Sequence, residues 1–111
     1  MPSARKPTPQ EEKFLEFLIK TASVKFPKDW KDGLLVKPMN EDGMGSLYLL
    51  PKGVTSIDRE FCDEVSEYIF KDEDRREVIA TLTIDKQGDL FELDIWKSDF
   101  SALIKFPDIS K

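Results

Sequence analysis

Three carboxylates near the end of the chain have the spacing of a possible metal or catalytic site. Glu92 and Asp94 are two residues apart in a segment of alternating apolar and polar side chains, so on a strand they point to the same face. Asp99 follows after an expected turn, and three such carboxylates can bind Mg²⁺. A nuclease would also need a nearby basic group, but alternation places Lys97 on the opposite face. A polar strand face paired with basic neighbours is the favoured interpretation.

Acidic side chains are also concentrated in the middle of the chain. Residues 58–77 contain nine acidic and four basic residues. The acidic ones are Asp58, Glu60, Asp63, Glu64, Glu67, Asp72, Glu73, Asp74 and Glu77. Such a surface repels nucleic-acid phosphates, so we expect no nucleic-acid partner, but it attracts basic protein surfaces. A solvated face that only maintains solubility has the same composition and is the simpler interpretation.

The residue types that are missing exclude several kinds of chemistry. The chain has 111 residues, a formal charge of −5 and no histidine, which excludes imidazole-based nucleophilic catalysis and histidine-ligated metals. The single Cys62 cannot form an internal disulfide or a thiolate cluster, and we predict a small buried side chain there. An unpaired thiol suits a reducing compartment, and the N-terminal residues do not resemble a secretory signal. We therefore predict a cytoplasmic protein that has no cofactor or metal and no contact with membranes.

The N-terminal elements are expected to be a tail and a helix. Residues 1–7 are polar and predict a flexible N-terminal tail. Thr8-Pro9-Gln10-Glu11 matches a capping box, which indicates a helix start. Apolar side chains then recur at three- and four-residue spacing, at Phe14, Leu15, Leu18, Ile19 and Ala22. Pro27 is expected to end the helix.

After the helix the hydrophobic period changes to two, which indicates strands. The predicted strands are Leu34–Val36, Ser46–Leu50, Val65–Phe70, Glu77–Ile84 and a final strand after the turn at Asp85–Asp89. In the final strand Phe91, Leu93 and Ile95 should face the core, with Glu92, Asp94 and Trp96 on the opposite face. Residues 57–64 are ambiguous, a loop is expected at 40–45, and a short helical turn is predicted at 98–103.

These elements predict an α+β fold. We expect the N-terminal amphipathic helix to pack on a four- to five-stranded, mainly antiparallel sheet, with residues 8–111 forming a single domain. The sequence does not establish the strand order. The sheet face opposite the helix should then be polar and carry one large aromatic side chain, Trp96.

Two motifs resemble those of a known family. The sequences Gly43-Met44-Gly45-Ser46-Leu47 and Leu90-Phe91-Glu92-Leu93-Asp94-Ile95-Trp96-Lys97-Ser98-Asp99-Phe100 look like a family of small bacterial proteins, about this long and of unassigned function. The similarity covers nearly the whole chain, but it implies no catalytic residue. The size, acidity and helix-then-sheet order are also loosely similar to immunity proteins, which neutralise the toxins of competing bacteria.

These observations lead to three hypotheses. The leading one is a non-catalytic binding protein, in its specific form an immunity-type inhibitor whose acidic surface covers the basic active site of a toxin nuclease. The predicted contact residues are Glu64, Glu67, Asp72, Asp74, Glu92, Asp94 and Trp96. The second hypothesis is a metal-dependent hydrolase that uses Glu92, Asp94 and Asp99. The third is a small structural subunit or homodimer that pairs through an open sheet edge.

Overall fold

The helix begins where the capping box predicts it. In the computed structural model, which describes residues 3–39 and 45–107, helix α1 spans Pro9–Lys20. The Glu11 amide donates to Thr8 Oγ1, and the Thr8 amide donates to Glu11 Oε1 at 2.8 Å. The helix ends well before Pro27, because the Thr21 hydroxyl bonds the carbonyl oxygens of the last turn and also lies 2.9 Å from the Ser66 hydroxyl. Within the described residues, no helix is long and apolar enough to cross a membrane.

The five strands form one antiparallel sheet. They are β1 (Leu35–Pro38), β2 (Leu47–Leu50), β3 (Phe61–Lys71), β4 (Glu77–Asp85) and β5 (Leu90–Lys97). Their order across the sheet is β1-β2-β5-β4-β3, and all neighbouring pairs are antiparallel. The predicted α+β class is therefore confirmed. The last strand lies in the centre of the sheet, so the connection between β2 and β3 has to pass from one half of the sheet to the other.

One face of the sheet packs against the helix and forms the core. Phe14, Leu15 and Leu18 of α1 are almost completely buried. The Phe14 ring makes edge contacts with Phe70 of β3 and lies 5.5 Å, centroid to centroid, from Phe106 in the segment after β5. The sheet contributes buried side chains that include Val36, Leu47, Leu49, Val78, Ala80, Leu82, Leu93 and Ile95. The opposite sheet face, which we call the open face, is left to polar side chains and a few exposed apolar ones.

A β-bulge changes which residues at the start of β5 reach the core. The sequence predicts Phe91 on the core face, but Thr83 pairs with Glu92 while Ile84 pairs with Leu90, so Phe91 is an extra residue. Leu90 takes the core position instead. Phe91 is buried outside the core cluster and packs against Arg59, whose guanidinium carbon lies 5.0 Å from the ring centroid. The prediction for Phe91 is therefore wrong, because strict alternation fails at a bulge.

Two further predictions are corrected by local backbone geometry. Cys62 is exposed rather than buried, because it is the unpaired residue of a register shift between Phe61 and Asp63 at the start of β3. The helical turn predicted at residues 98–103 does not form. Instead Phe100 has a φ of 59°, in the left-handed region, which is incompatible with a right-handed turn.

The N-terminal segment makes ordered contacts at Arg5, within the stretch predicted as a flexible tail. The Arg5 amide donates to the Val36 carbonyl at 2.8 Å, and the Val36 amide donates to the Arg5 carbonyl at 2.7 Å. The Arg5 guanidinium also forms two hydrogen bonds with the buried Glu11 carboxylate. Burial raises the pKa of Glu11, but the hydrogen bonds from Arg5 and Thr8 outweigh burial and lower it below its ordinary value. This ion pair connects the start of the chain to the helix and to β1.

Candidate protein-binding face

Strand register brings four carboxylates together on the open face. Glu92 of β5 lies beside Thr83 of β4, and Thr83 lies beside Glu64 of β3. In the next row, Asp94 pairs with Thr81, which pairs with Glu67. We call Glu64, Glu67, Glu92 and Asp94 the acidic quartet. Two strands, β3 and β5, supply it from either side of β4, so the sheet brings together residues that are distant in the sequence.

The two carboxyl groups on β5 lie close together, and the pKa of each is raised above its ordinary value. Burial raises the pKa of Glu92 above its ordinary value, and the negative charge of Asp94 raises it further, while the charge of Arg59 partly opposes this. Burial also raises the pKa of Asp94, and Glu64 adds to the increase, although the hydrogen bond with Glu92 acts in the opposite direction. The pair is half-buried among like charges, so an added positive group would be strongly attracted.

The acidic quartet lacks a basic partner in the described part of the chain. Within residues 3–39 and 45–107, none of its four carboxylates belongs to an ion pair. The sequence predicts a polar face paired with basic neighbours, and this pairing is not found in those residues. The charge of Arg59 partly opposes the raised pKa of Glu92, but its guanidinium donates to Asp85 at 2.8 Å and to the Leu90 carbonyl rather than to the quartet. The quartet is therefore left with its negative charge unneutralised.

An exposed apolar cluster lies next to the acidic quartet. Trp96, Ile79 and Ile69 are register neighbours on β5, β4 and β3. Phe100, just after β5, makes an edge contact with Trp96, with ring centroids 5.9 Å apart and planes at 90°. Trp96 is 43% exposed and Phe100 is 69% exposed. We call Ile69, Ile79, Trp96 and Phe100 the apolar end of the open face.

Phe100 is displayed by a strained turn. Its φ of 59° is unusual for a bulky aromatic residue and costs about 1 kcal/mol. The Phe100 amide donates to the Lys97 carbonyl at 2.9 Å, and the Lys97 ammonium donates to the Ala102 carbonyl at 3.1 Å. Lys97 therefore holds both sides of the turn that presents the exposed ring.

Lys97 is the centre of a buried ion cluster at the same end of β5. Its side chain has no exposed area, and the ammonium lies 2.9 Å from Asp72 Oδ2 and 2.7 Å from Asp74 Oδ2. Asp72 also accepts hydrogen bonds from the amides of Ile104 and Lys105. Burial opposes the charged forms of Asp72 and Lys97, because it raises the pKa of the carboxyl group and lowers that of the ammonium. The Ile104 amide and the Lys97 ammonium nevertheless lower the pKa of Asp72, and the two aspartates raise the pKa of Lys97.

This cluster removes Asp72 from the predicted contact set. The sequence predicts Asp72 at a partner interface, but its side chain has no exposed area and its oxygens are occupied by groups of its own chain. Asp74 is 34% exposed, but one of its oxygens is paired to Lys97. Both aspartates lie in the turn between β3 and β4. Asp72 fixes the segment after β5 to that turn, and Asp74 fixes the end of β5 to it.

The three carboxylates of the hydrolase hypothesis are not brought together. Asp99 accepts hydrogen bonds from the amide and hydroxyl of Ser101, which lower its pKa, and lies 3.6 Å from Arg76. Among the residues that the structure describes, no group of three acidic or cysteine side chains could hold a metal ion. Glu92 and Asp94 therefore have no third acidic ligand there.

Sequence reasoning missed two exposed members of the apolar end. Ile69 falls on the open face because a second register shift in β3, between Glu64 and Ser66, changes the alternation. Phe100 is missed because its exposure depends on a left-handed residue outside any strand. A signal for Phe100 does exist, since a large aromatic residue directly follows a polar Lys-Ser-Asp stretch at a strand end.

Comparison with known proteins identifies the family. Residues 4–107 match the family described as a domain of unknown function (DUF6984), so the chain belongs to that family. Neither the curated proteins nor the solved structures give a significant match. Part of the Gly43–Leu47 motif quoted for the resemblance lies outside the described residues, as does most of the loop predicted at 40–45.

Proposed function

We propose that this chain is a non-catalytic, cytoplasmic binding protein whose open face docks a protein partner with a basic surface. The observation that supports this most is the Glu92–Asp94 pair. These carboxyls are half-buried, have raised pKa values and lie beside exposed aromatic rings, without a cation from the described residues. A like-charged pair of this kind costs stability in the free protein, and a positive group from a partner removes that cost.

A docked Arg or Lys side chain would interact well with this pair. It would donate charge-assisted hydrogen bonds to the two carboxylates, and such bonds are about twice as strong as neutral ones. Glu64 and Glu67 would attract further basic groups from β3. Electrostatic attraction of this kind raises the association rate and makes the affinity fall as salt increases.

The apolar end would supply the desolvated part of the interface. Trp96 and Phe100 are large and exposed, and aromatic residues of this type contribute disproportionately to binding when a partner covers them. An acidic patch beside an aromatic one fits a partner with a basic site bordered by apolar surface. The immunity-type form of the proposal follows from this match, because a toxin nuclease has a basic active site that binds phosphates.

The two edges of the sheet support self-association less than the open face supports binding of a basic partner. At β1, the backbone of Arg5 already pairs with Val36. At the other edge, β3 contains two register shifts and exposed acidic side chains, which are features that oppose edge-to-edge pairing. A homodimer through a sheet edge therefore remains a prediction of the sequence without a contact that favours it.

The test is affinity capture of the tagged protein from lysate of its own source, followed by binding measurements with the purified captured partner. The diagnostic variant is the triple substitution Glu64→Gln, Glu92→Gln and Asp94→Asn. The matched control, Glu12→Gln, Glu16→Gln and Glu73→Gln, removes the same charge from the helix and the β3–β4 turn.

We expect a stoichiometric basic partner that is retained at low salt and lost at high salt. The diagnostic variant should lose it, and the control should keep it. Equal retention by the two triple variants would overturn the assignment of the open face. Failure to capture any stoichiometric protein at either salt concentration would count against a binding function.

A further inference from the structure

A separate cleft lies between three loops on another part of the surface. It has a volume of about 200 Å³ and is bordered by the segment after α1, the turn after β2 and the turn between β4 and β5. Its lining includes the aromatic residues Phe26 and Trp30, the acidic residues Asp29, Asp32 and Asp89, and Lys52. None of these residues belongs to the open face.

The lining of the cleft combines aromatic surface with negative charge. Phe26 and Trp30 are partly buried and pack against the core, which fixes their rings. Asp29, Asp32 and Asp89 are exposed, and in the described part of the chain none of them is in an ion pair. Three carboxylates and one ammonium leave the cleft with a net negative charge.

We propose that this cleft binds an alkylguanidinium or alkylammonium group. A cation placed over the face of Trp30 is attracted by the ring, and the carboxylates at the rim would accept its hydrogen bonds. The volume is below the roughly 300–1,000 Å³ of pockets for drug-sized molecules, so it suits one group of the size of a side chain. The cation comes from a free small amine or from an Arg or Lys side chain. The proposal does not depend on the function of the open face.

Tryptophan fluorescence provides a direct test. The chain has two tryptophans, so the Trp96→Phe variant leaves Trp30 as the only reporter. We would titrate this variant with butylguanidinium at low salt and compare it with butylurea, which has a similar shape but no charge. A peptide with one internal arginine and no other charge is the second probe.

We expect a saturable change in Trp30 emission with butylguanidinium and none with butylurea. Asp29→Asn and Asp32→Asn should each weaken binding about threefold, as expected for loss of one exposed ion pair, whereas Glu73→Gln should not. Tighter binding of the peptide would identify a protein side chain as the source, and exclusion of the peptide would identify a free amine. Equal responses to the charged and uncharged probes, or no saturable response to either cation, would overturn the proposal.

Discussion

The two acidic groups near the ends of β5 behave in opposite ways. At Lys97, two aspartates share a buried ammonium and backbone amides, and the pKa of Asp72 lies below its ordinary value. On the open face, Glu92 and Asp94 face each other and Glu64, and burial raises the pKa values of both. The first group stabilises the fold, whereas the second group destabilises it and is suited to a positive partner. Charge alone therefore does not identify a binding site, and the neutralising groups have to be counted.

The largest expected effect on stability is in the buried cluster around Lys97, where the aspartates are neutralised. Asp72→Ala leaves the Lys97 ammonium with one carboxylate fewer and removes the acceptor of the Ile104 and Lys105 amides. We expect a loss of about 3 kcal/mol in the free energy of unfolding, measured by urea denaturation at pH 7. Glu73→Ala, an exposed neighbour, should change it by less than about 0.5 kcal/mol. Equal effects for the two variants would mean that the buried cluster does not stabilise the fold.

The contrast between the two acidic groups shows which features of the molecule can be predicted from the sequence. The helix start at Thr8, the class of the fold and the orientation of Glu92, Asp94 and Trp96 follow from local spacing, and the structure agrees with each of them. Local patterns specify such features because they depend on neighbours a few residues away.

Other features depend on distant residues and could not be predicted in this way. Asp72 looked like a surface acid, since nothing in its local sequence shows that Lys97 would be buried beside it. The bulge that moves Phe91 out of the core depends on the pairing of β4 with β5. The central position of β5 likewise depends on contacts across the whole sheet. Long-range pairing therefore decides which acidic residues are free to bind.

The next effect concerns the turn that Lys97 supports. Phe100 has a left-handed backbone, so a glycine there should be less strained than any residue with a Cβ. We expect Phe100→Gly to be more stable than Phe100→Ala by about 1 kcal/mol, which reverses the usual order of these residues. Thermal or urea unfolding of both variants measures the difference. If alanine is the more stable replacement, the turn is unstrained and the buried cluster does not hold Phe100 in an unfavourable conformation.

A smaller effect of opposite sign is expected on the open face. Glu92→Gln removes the repulsion with Asp94 and should raise the free energy of unfolding by roughly 0.5 kcal/mol at pH 7, a value reduced for solvent screening. The same variant should weaken binding to the basic partner. Urea denaturation at low salt measures the first change, with Glu12→Gln as the matched control. A destabilised Glu92→Gln protein would show that the carboxylate is already neutralised in the free chain.

The smallest effect is the pH dependence of that difference, and it separates the two acidic groups by sign. The folded pKa values of Glu92 and Asp94 are raised, so between the unfolded values near 4 and these higher values the folded protein binds more protons. Repulsion therefore diminishes as the pH falls from 7 through the raised pKa values, and the advantage of Glu92→Gln over the parent should shrink. The folded pKa of Asp72 is lowered, so its contribution is complete above the unfolded value and is lost only as the pH falls below about 4.

Urea denaturation at intervals from pH 7 to pH 3 should show the Glu92→Gln difference disappearing first, while the Asp72→Ala difference persists to lower pH. If both stability differences disappeared over the same pH range, the pKa values of Asp72 and of the Glu92–Asp94 pair would not be shifted in opposite directions. The contrast between the buried cluster and the open face would then be wrong.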